Sequence, residues 1–112
     1  MVLPENGCLL RIFIGESEKV DGKPLYQRLV EEARAGGLAG ATAWRGMMGY
    51  GANSFIHTSK ILRLSQDLPV IVEIVDTREE LETFLKEIDS MIKGGLATLE
   101  KVQVHFYRSN NV

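Results

Sequence analysis

The spacing of apolar residues along the chain predicts its secondary structure. Strict alternation of apolar and polar positions, or a high content of β-branched residues, is typical of strands. In helices the apolar residues recur every three or four positions. By these criteria strands are predicted at 9–17, 39–48, 68–76 and 97–107, and "LPVIVEIVD" at 68–76 is the most strongly marked.

Two stretches carry the helical period. The first runs from Pro24 to Ala35, with the proline suited to the first turn and a glycine pair after the last. The second follows a capping box formed by Thr77 and Glu80, and another glycine pair ends it. Its apolar stripe consists of Leu81, Phe84, Leu85, Ile88 and Ile92.

The predicted elements occur in the order β, α, β, long loop, β, α, β. Two βαβ halves of this kind build an α+β fold with ferredoxin-like βαββαβ topology. In that fold four antiparallel strands form one sheet, and both helices cover one of its faces. We therefore predict a domain at 9–107, between an N-terminal lead at 1–8 and a C-terminal tail at 108–112.

The predicted sheet is apolar on both faces. Between Val70 and Val75 only Glu73 is polar, and the first strand carries Leu9 and Phe13 on its second side. Two helices can cover only one face, and an exposed apolar face is usually covered by a partner. Another copy of the same chain is the simplest partner, so the pattern predicts a homo-oligomer.

Four polar residues are predicted to share this second face: Arg11, Glu73, Gln103 and His105. Because an unpaired buried charge is costly, we interpret them as a structural ion-pair network rather than a catalytic group. Glu73 and His105 are also residue types that bind metals. They lie on separate strands without an HxH or CxxC spacing, which makes the metal interpretation the weaker one.

Composition and charge narrow the classes of function. A net charge of -2 argues against a nucleic-acid partner, since binding to a phosphate backbone relies on a concentrated positive field. The single cysteine, Cys8, lies in the predicted lead. One cysteine cannot form an internal disulfide, and this cysteine content favours a location in the reducing cytoplasm. No stretch approaches the ~18 consecutive apolar residues of a membrane span, and residues 1–15 lack the features of a signal peptide.

Four motifs are similar to those of a known family: "GKPLY" at 22–26, "RGMMGYG" at 45–51, "IHTSK" at 56–60 and "LPVIVEIVD" at 68–76. From Leu9 to Val104 the chain resembles the bacterial and archaeal family of domain of unknown function 190, which is related to the PII signalling proteins. The resemblance implies a PII-like homotrimer with its sheets facing inward and its helices outward. It also implies a sensor that binds adenine nucleotides in clefts between subunits and signals through a loop, here 49–63.

The glycine-rich connection at 45–51 is the first candidate ligand site. Glycines let the backbone approach a ligand closely, and successive N–H groups can form an anion-binding nest. Arg45 would supply a bidentate phosphate contact, Tyr50 a stacking surface or hydroxyl, and His57 a further hydrogen bond. The other candidates in this connection are Gly46, Gly49 and Gly51. The alternative is that these glycines serve only a β-bulge and a turn.

A second candidate segment contains Lys93, Gly94 and Gly95. By the resemblance, it lies where PII proteins place a phosphate-contacting loop. PII proteins carry a longer and more basic stretch there, so the shorter segment favours AMP or ADP over Mg-ATP. The two glycines also have an ordinary structural explanation as a helix stop.

We therefore predict a non-enzymatic, PII-like sensor of a small adenine nucleotide, without catalytic residues, resident cofactor or metal. The chain contains neither a GxSxG motif nor a P-loop lysine motif. One alternative is a metal-binding trimer resembling the divalent-cation tolerance proteins, which would use His57, His105 or Glu73. Another is a ligand-free protein-interaction module. Relatives are often associated with fluoride-channel proteins, which makes a membrane protein a candidate partner.

Overall fold

The structure, a computed structural model, describes residues 6–50 and 67–110. Most of the predicted loop at 49–63, with Gly51 and His57, lies outside the described residues. The helices are α1 (Leu25–Ala35) and α2 (Arg78–Ile88), with a 3-10 turn at Asp89–Met91. The strands are β1 (Asn6–Gly15), β2 (Lys19–Val20), β3 (Lys23–Pro24), β4 (Ala41–Arg45), β5 (Pro69–Asp76) and β6 (Leu96–Gln103).

Four strands form one antiparallel sheet in the order β4-β5-β1-β6. The two central strands pair along eight positions, from Cys8 opposite Asp76 to Gly15 opposite Pro69. Helices α1 and α2 both pack on one face of this sheet, where their buried residues join those of the strands in one cluster. This is the ferredoxin-like arrangement predicted from the pattern, and that prediction is confirmed.

The hydrophobic core lies between the helices and this face of the sheet. Alternate residues of β1 and β5 point into it, and Leu10, Ile12 and Val72 are fully buried. The helices contribute Leu25, Leu29 and Ala33 from α1 and Leu81, Phe84 and Ile88 from α2. Burying each of the larger side chains contributes about 1.5–3 kcal/mol. The helix-covered face therefore supplies most of the hydrophobic stabilisation within one protomer.

Helix α2 begins with half of the predicted capping box. The Thr77 hydroxyl accepts a hydrogen bond from the Glu80 backbone N–H at 3.1 Å. The Thr77 N–H donates to the Asp76 carboxylate at 2.7 Å, in the position where a capping box would place the Glu80 side chain. The second Asp76 oxygen accepts from the Ala39 N–H at 2.9 Å. The buried Asp76 side chain thus ties the start of α2 to the segment before β4.

The beginning of the chain differs from the prediction in two places. Strand β1 begins at Asn6, so Cys8 is part of the sheet and only 4% exposed instead of lying in a lead. A short hairpin of β2 and β3 precedes α1, and its turn residues Asp21 and Gly22 have φ of 52° and 79°. An Asp-Gly pair is a strong hairpin signal that the helical pattern obscured. As a result Pro24 lies in β3, one residue before the helix.

Helix α2 is also shorter than its apolar stripe indicated. The α-helical hydrogen bonding stops at Ile88, and the 3-10 turn then changes the direction of the chain. Ile92 follows with extended backbone angles, φ -101° and ψ 107°, yet still packs against the core. Ile92 fits the predicted apolar stripe because it packs against the core, although it lies outside the helix.

The face of the sheet opposite the helices, called the open face below, carries two rows of side chains. The apolar row crosses the four strands in paired register as Trp44, Ile71, Phe13 and Leu96. The polar row beside it consists of Thr42, Glu73, Arg11 and Thr98. At the two ends of the apolar row the side chains are 48% and 58% exposed, which leaves apolar surface uncovered in a single protomer.

Candidate functional site

A cleft of about 580 Å³ lies at the edge of the sheet where β1 and β4 end and β5 begins. It brings together the two glycine segments singled out in the sequence. Gly46, Gly49 and Tyr50 line it from the connection after β4, and Gly94 and Gly95 line it from the segment before β6. The described lining thus joins segments more than forty residues apart in the chain, which makes this cleft the candidate ligand site.

The glycines after β4 let this connection run close to β5. The Gly46 N–H donates to the Pro69 carbonyl at 2.7 Å. A Cβ atom at Gly46 would lie 2.8 Å from the Pro69 ring, and one at Gly49 would lie 3.1 Å from it. The close approach therefore depends on the missing side chain at Gly46 and is eased by the one at Gly49, whether or not a ligand binds.

Gly95 is required by the backbone on the other side of the cleft. Its φ of 136° is strained for residues with a side chain, and an added Cβ would meet the Phe13 carbonyl oxygen at 2.6 Å. The backbone thus requires a glycine at position 95, and the same residue lies in the wall of the cleft. Lys93, the predicted cation of this segment, is exposed and does not line the cleft.

Two carboxylates line the cleft, and both are held by backbone groups. Glu18 accepts a hydrogen bond from the Gly15 N–H at 2.6 Å. Asp67 accepts from the Ser17 N–H at 2.9 Å and from its hydroxyl at 2.8 Å. These are the only ionisable carboxylic or basic side chains among the described lining residues, so that part of the cleft is acidic.

Arg45, the predicted phosphate contact, lies beside the cleft and is paired. Its guanidinium forms an ion pair with the Glu16 carboxylate, and its side chain is 61% exposed. It is not among the lining residues in the described parts of the chain. To contact a phosphate, Arg45 would have to exchange Glu16 for the ligand. That exchange costs little, because an exposed ion pair is worth only about 0.2–1 kcal/mol.

A hydrogen-bonded network crosses the open face beside the cleft. The Trp44 indole N–H donates to Glu73 at 3.2 Å, and Arg11 bridges Glu73 and Glu100 at 2.7 Å each. Hydrogen bonding to Glu73, aided by the nearby Glu100 carboxylate, raises the pKa of Arg11 above its usual value. The predicted structural ion pair of Arg11 and Glu73 is thus present, with Glu100 as its third member.

The register corrects the other two residues expected in that network. Gln103 lies opposite Asn6, which is two residues before the core residue Cys8 and therefore points to the same face of the sheet. Gln103 thus lies on the helix-covered side of β6. His105 lies beyond β6, with its ring edge-on to Phe106 at 5.8 Å between centroids. Within the described residues no group of three potential metal ligands is assembled. Glu73 is engaged by two donors, and His57 lies outside the described residues.

The lining also contains residues that the sequence did not indicate as site residues. Trp44 and Phe13 line the cleft from the open face, and Asp67 and Pro69 line it from the entry to β5. In the sequence these residues had only the roles of strand or loop positions. Arg45 and the glycines had indicated this part of the chain as a candidate site. The register of β4 on β5 decides which side chains face the cleft.

Comparison with known proteins places this fold and sequence in a family. The family model DUF190, described as an uncharacterized ACR, matches residues 7–104. A UPF0166 protein of Aquifex aeolicus (strain VF5) is 47% identical over 96 residues, covering 86% of this chain and 90% of the relative. The chain belongs to the DUF190 family, as the motifs indicated.

Solved structures share the fold at much lower identity. CPII of Thiomonas intermedia K12, bound to ADP and bicarbonate, superposes with a TM-score of 0.64 at 15% identity, with 88% of each chain covered. CutA of Synechococcus elongatus PCC7942 gives a TM-score of 0.55 at 14% identity, with 92% of this chain and 80% of CutA covered. The fold is thus PII-like. Neither helix in the described part of the chain is long and apolar enough to cross a membrane.

Proposed function

We propose that this protein is a PII-like regulatory protein that binds a small adenine nucleotide, with AMP or ADP favoured, in the cleft beside β4. The observation that carries the proposal is the convergence of two glycine segments, around Gly46 and Gly95, on one cleft. The Gly46 N–H is engaged by the Pro69 carbonyl, so the other backbone N–H groups of these segments would be the donors to an anionic ligand. A structural relative, CPII, is bound to ADP and bicarbonate, which supports a nucleotide as the ligand.

The charges around the cleft favour a nucleotide with few phosphates. Glu18 and Asp67 are the charged members of the described lining, and Arg45, which follows the lining residue Trp44, is paired with Glu16. A triphosphate would carry more negative charge toward these carboxylates than a monophosphate, and like charges repel. AMP is therefore expected to bind best without a metal ion, and magnesium is expected to improve the binding of ATP more than that of AMP.

The proposed regulatory unit is a cytoplasmic homotrimer. The exposed Leu96 end of the apolar row provides the surface that neighbouring copies would cover, while Trp44 at the other end lines the cleft. A neighbouring copy would then form the remaining wall of the cleft, so that each ligand would contact two subunits. Ligand binding would act by favouring one conformation of the loop at 49–63 over another, since regulation requires only different affinities for the two conformations. A partner protein, with a membrane protein among the candidates, would recognise that loop.

Isothermal titration calorimetry with AMP, ADP, ATP and cyclic AMP, each with and without magnesium, tests the proposal. We expect micromolar binding of AMP or ADP at one site per subunit. Absence of binding by all four nucleotides would contradict the proposed ligand class and shift attention to direct protein recognition. Size-exclusion chromatography with light scattering measures the oligomeric state in the same samples, and a monomer would contradict the trimer.

Arg45→Ala tests the predicted phosphate contact. We expect it to weaken AMP binding about tenfold, since a hydrogen bond to a charged group is worth about 1.5–3 kcal/mol and the pair with Glu16 is lost in exchange. Arg78→Ala is the matched control. Arg78 is also 61% exposed and paired with a carboxylate, but it lies on α2. Unchanged affinity in Arg45→Ala would remove Arg45 from the site.

A further inference from the structure

We propose that Trp44 provides the aromatic surface on which the nucleotide base packs, and that Glu73 holds the indole ring in position. This inference rests on the proposed function, because it names the residue that recognises the base in the same cleft. Three aromatic residues line the described part of the cleft: Phe13, Trp44 and Tyr50. They differ in how the structure holds them.

The Trp44 ring is hydrogen-bonded through its N–H group, and Trp44 is about half exposed in the protomer. Its indole N–H donates to one Glu73 oxygen at 3.2 Å, and the other Glu73 oxygen accepts from Arg11 at 2.7 Å. Ile71, which is 6% exposed, lies directly opposite Trp44 in the register. About half of the Trp44 side chain, 48%, is nevertheless accessible. An oriented ring with an accessible surface binds a flat ligand at little cost in side-chain entropy.

The other two aromatic residues are less suited to this role. Phe13 lies inside the apolar row between Ile71 and Leu96 and is half-buried, and it has no polar atom that could fix the ring by a hydrogen bond. Tyr50 lies five residues beyond β4, and 76% of it is exposed. Ordering Tyr50 on a ligand would therefore cost more conformational entropy than using Trp44.

The glycines explain where the rest of a nucleotide would lie. Trp44 is two residues before Gly46, so a base packed on the indole places its ribose and phosphate near the exposed backbone of 46–50. The carboxylates of Glu18 and Asp67 line the same cleft and accept hydrogen bonds, as the ribose hydroxyls and the exocyclic amine of adenine require. The acceptors of the cleft thus match the hydrogen-bond donors of a nucleotide whose base packs on Trp44.

Trp44 is the only tryptophan of the chain, so its fluorescence reports directly on the proposed contact. AMP titrated into the full-length protein is expected to quench the tryptophan emission, with a midpoint equal to the calorimetric Kd. Saturating AMP is also expected to protect Trp44 from acrylamide quenching. If AMP and ADP bind by calorimetry but leave both the emission and the acrylamide quenching unchanged, this proposal is wrong and the proposed function stands. If no adenine nucleotide binds, both fail.

Substitutions separate the packing role from the positioning role. Trp44→Ala is expected to weaken AMP binding about 10- to 100-fold, as for loss of a base-stacking aromatic residue. Trp44→Phe, which keeps an aromatic face, is expected to retain most of the affinity and serves if the alanine variant misfolds. Thr42→Ala is the matched control, since Thr42 lies on the same strand and face. Equal affinity in the wild type, Trp44→Ala and Thr42→Ala would overturn the proposal.

Glu73 is tested as a positioning residue with a spectroscopic readout. Glu73→Leu removes the acceptor of the indole N–H, and we expect lower tryptophan anisotropy in the free protein together with weaker AMP binding. Glu73→Gln keeps a carbonyl acceptor and is expected to restore the anisotropy. An anisotropy that is identical in Glu73→Leu and the wild type would show that Glu73 does not hold the ring.

Discussion

The two faces of the sheet use the same alternating strands for different purposes. On the helix-covered face Leu10 and Ile12 are fully buried and pack in one cluster with both helices. On the open face the neighbouring residues Arg11 and Phe13 remain partly accessible, and there the side chains form ion pairs, an exposed apolar row and the rim of the cleft. One face stabilises the protomer, and the other leaves apolar and charged side chains accessible. Substitutions on the two faces should therefore have different consequences.

The largest effect on stability is expected for Ile12→Ala on the helix-covered face. Removing a fully buried aliphatic side chain leaves a cavity and typically costs about 2–5 kcal/mol of unfolding free energy. Urea denaturation followed by circular dichroism measures this loss. Thr98→Ala, an exposed position of β6 paired with Arg11 on the open face, is expected to stay within about 0.5 kcal/mol of the wild type. Equal effects of the two substitutions would contradict the contrast between the faces.

The next effect concerns the buried carboxylate at the edge of the core. Asp76→Ala leaves the N–H groups of Thr77 and Ala39 without their acceptor, at about 1–3 kcal/mol for each group that stays unsatisfied. Asp76→Asn keeps one carbonyl oxygen and is expected to lose less. Thermal unfolding of both variants measures the difference. A wild-type melting temperature in Asp76→Ala would show that water replaces the carboxylate.

A third substitution acts where the core meets the cleft. Gly95→Ala combines a strained φ with a contact of 2.6 Å to the Phe13 carbonyl, and is expected to lose about 1–3 kcal/mol of stability. It should also weaken AMP binding, because β1 and the cleft wall must move apart. Gly40→Ala is the control, since nothing lies within 4 Å of its added Cβ. Loss of stability with unchanged AMP affinity would return Gly95 to a structural role alone.

The smallest effect is expected for the ion pair on the open face. Glu100→Gln removes one of the two carboxylates bound to Arg11, whose side chain is 39% exposed. The expected loss is small, because the pair is solvent-exposed, and it should shrink as salt is added. Because the pKa of Arg11 is raised, the stabilisation from its ion pairs is lost only when the pH rises beyond the usual arginine range. Salt concentration is therefore the more informative variable to change. If Glu100→Gln lost more unfolding free energy than Ile12→Ala, the open face and not the helix-covered face would be the main source of stability.

The candidate site was only partly predictable from the sequence. The glycines at 46, 49, 94 and 95 were identified because glycines let the backbone approach a ligand closely, although a turn or a helix stop also explains them. Trp44 was read as a strand residue, and its access to the cleft depends on pairing with Ile71. Arg45 was expected to contact a ligand, but its pairing with Glu16 depends on β1 and β4 ending at the same edge of the sheet, on either side of β5.

The sequence by itself determined the two α-helices and the four strands of the sheet, and which side of β1, β5, α1 and α2 is buried. These properties follow from local periodicity and from caps such as Thr77, because burial on one face imposes a period of two in strands and near 3.6 in helices. Only the tertiary structure decided which loops meet at the cleft, which carboxylates line it, and that Cys8 is buried in the sheet. These depend on strand order and register, which are set by contacts between residues far apart in the chain and leave no local period.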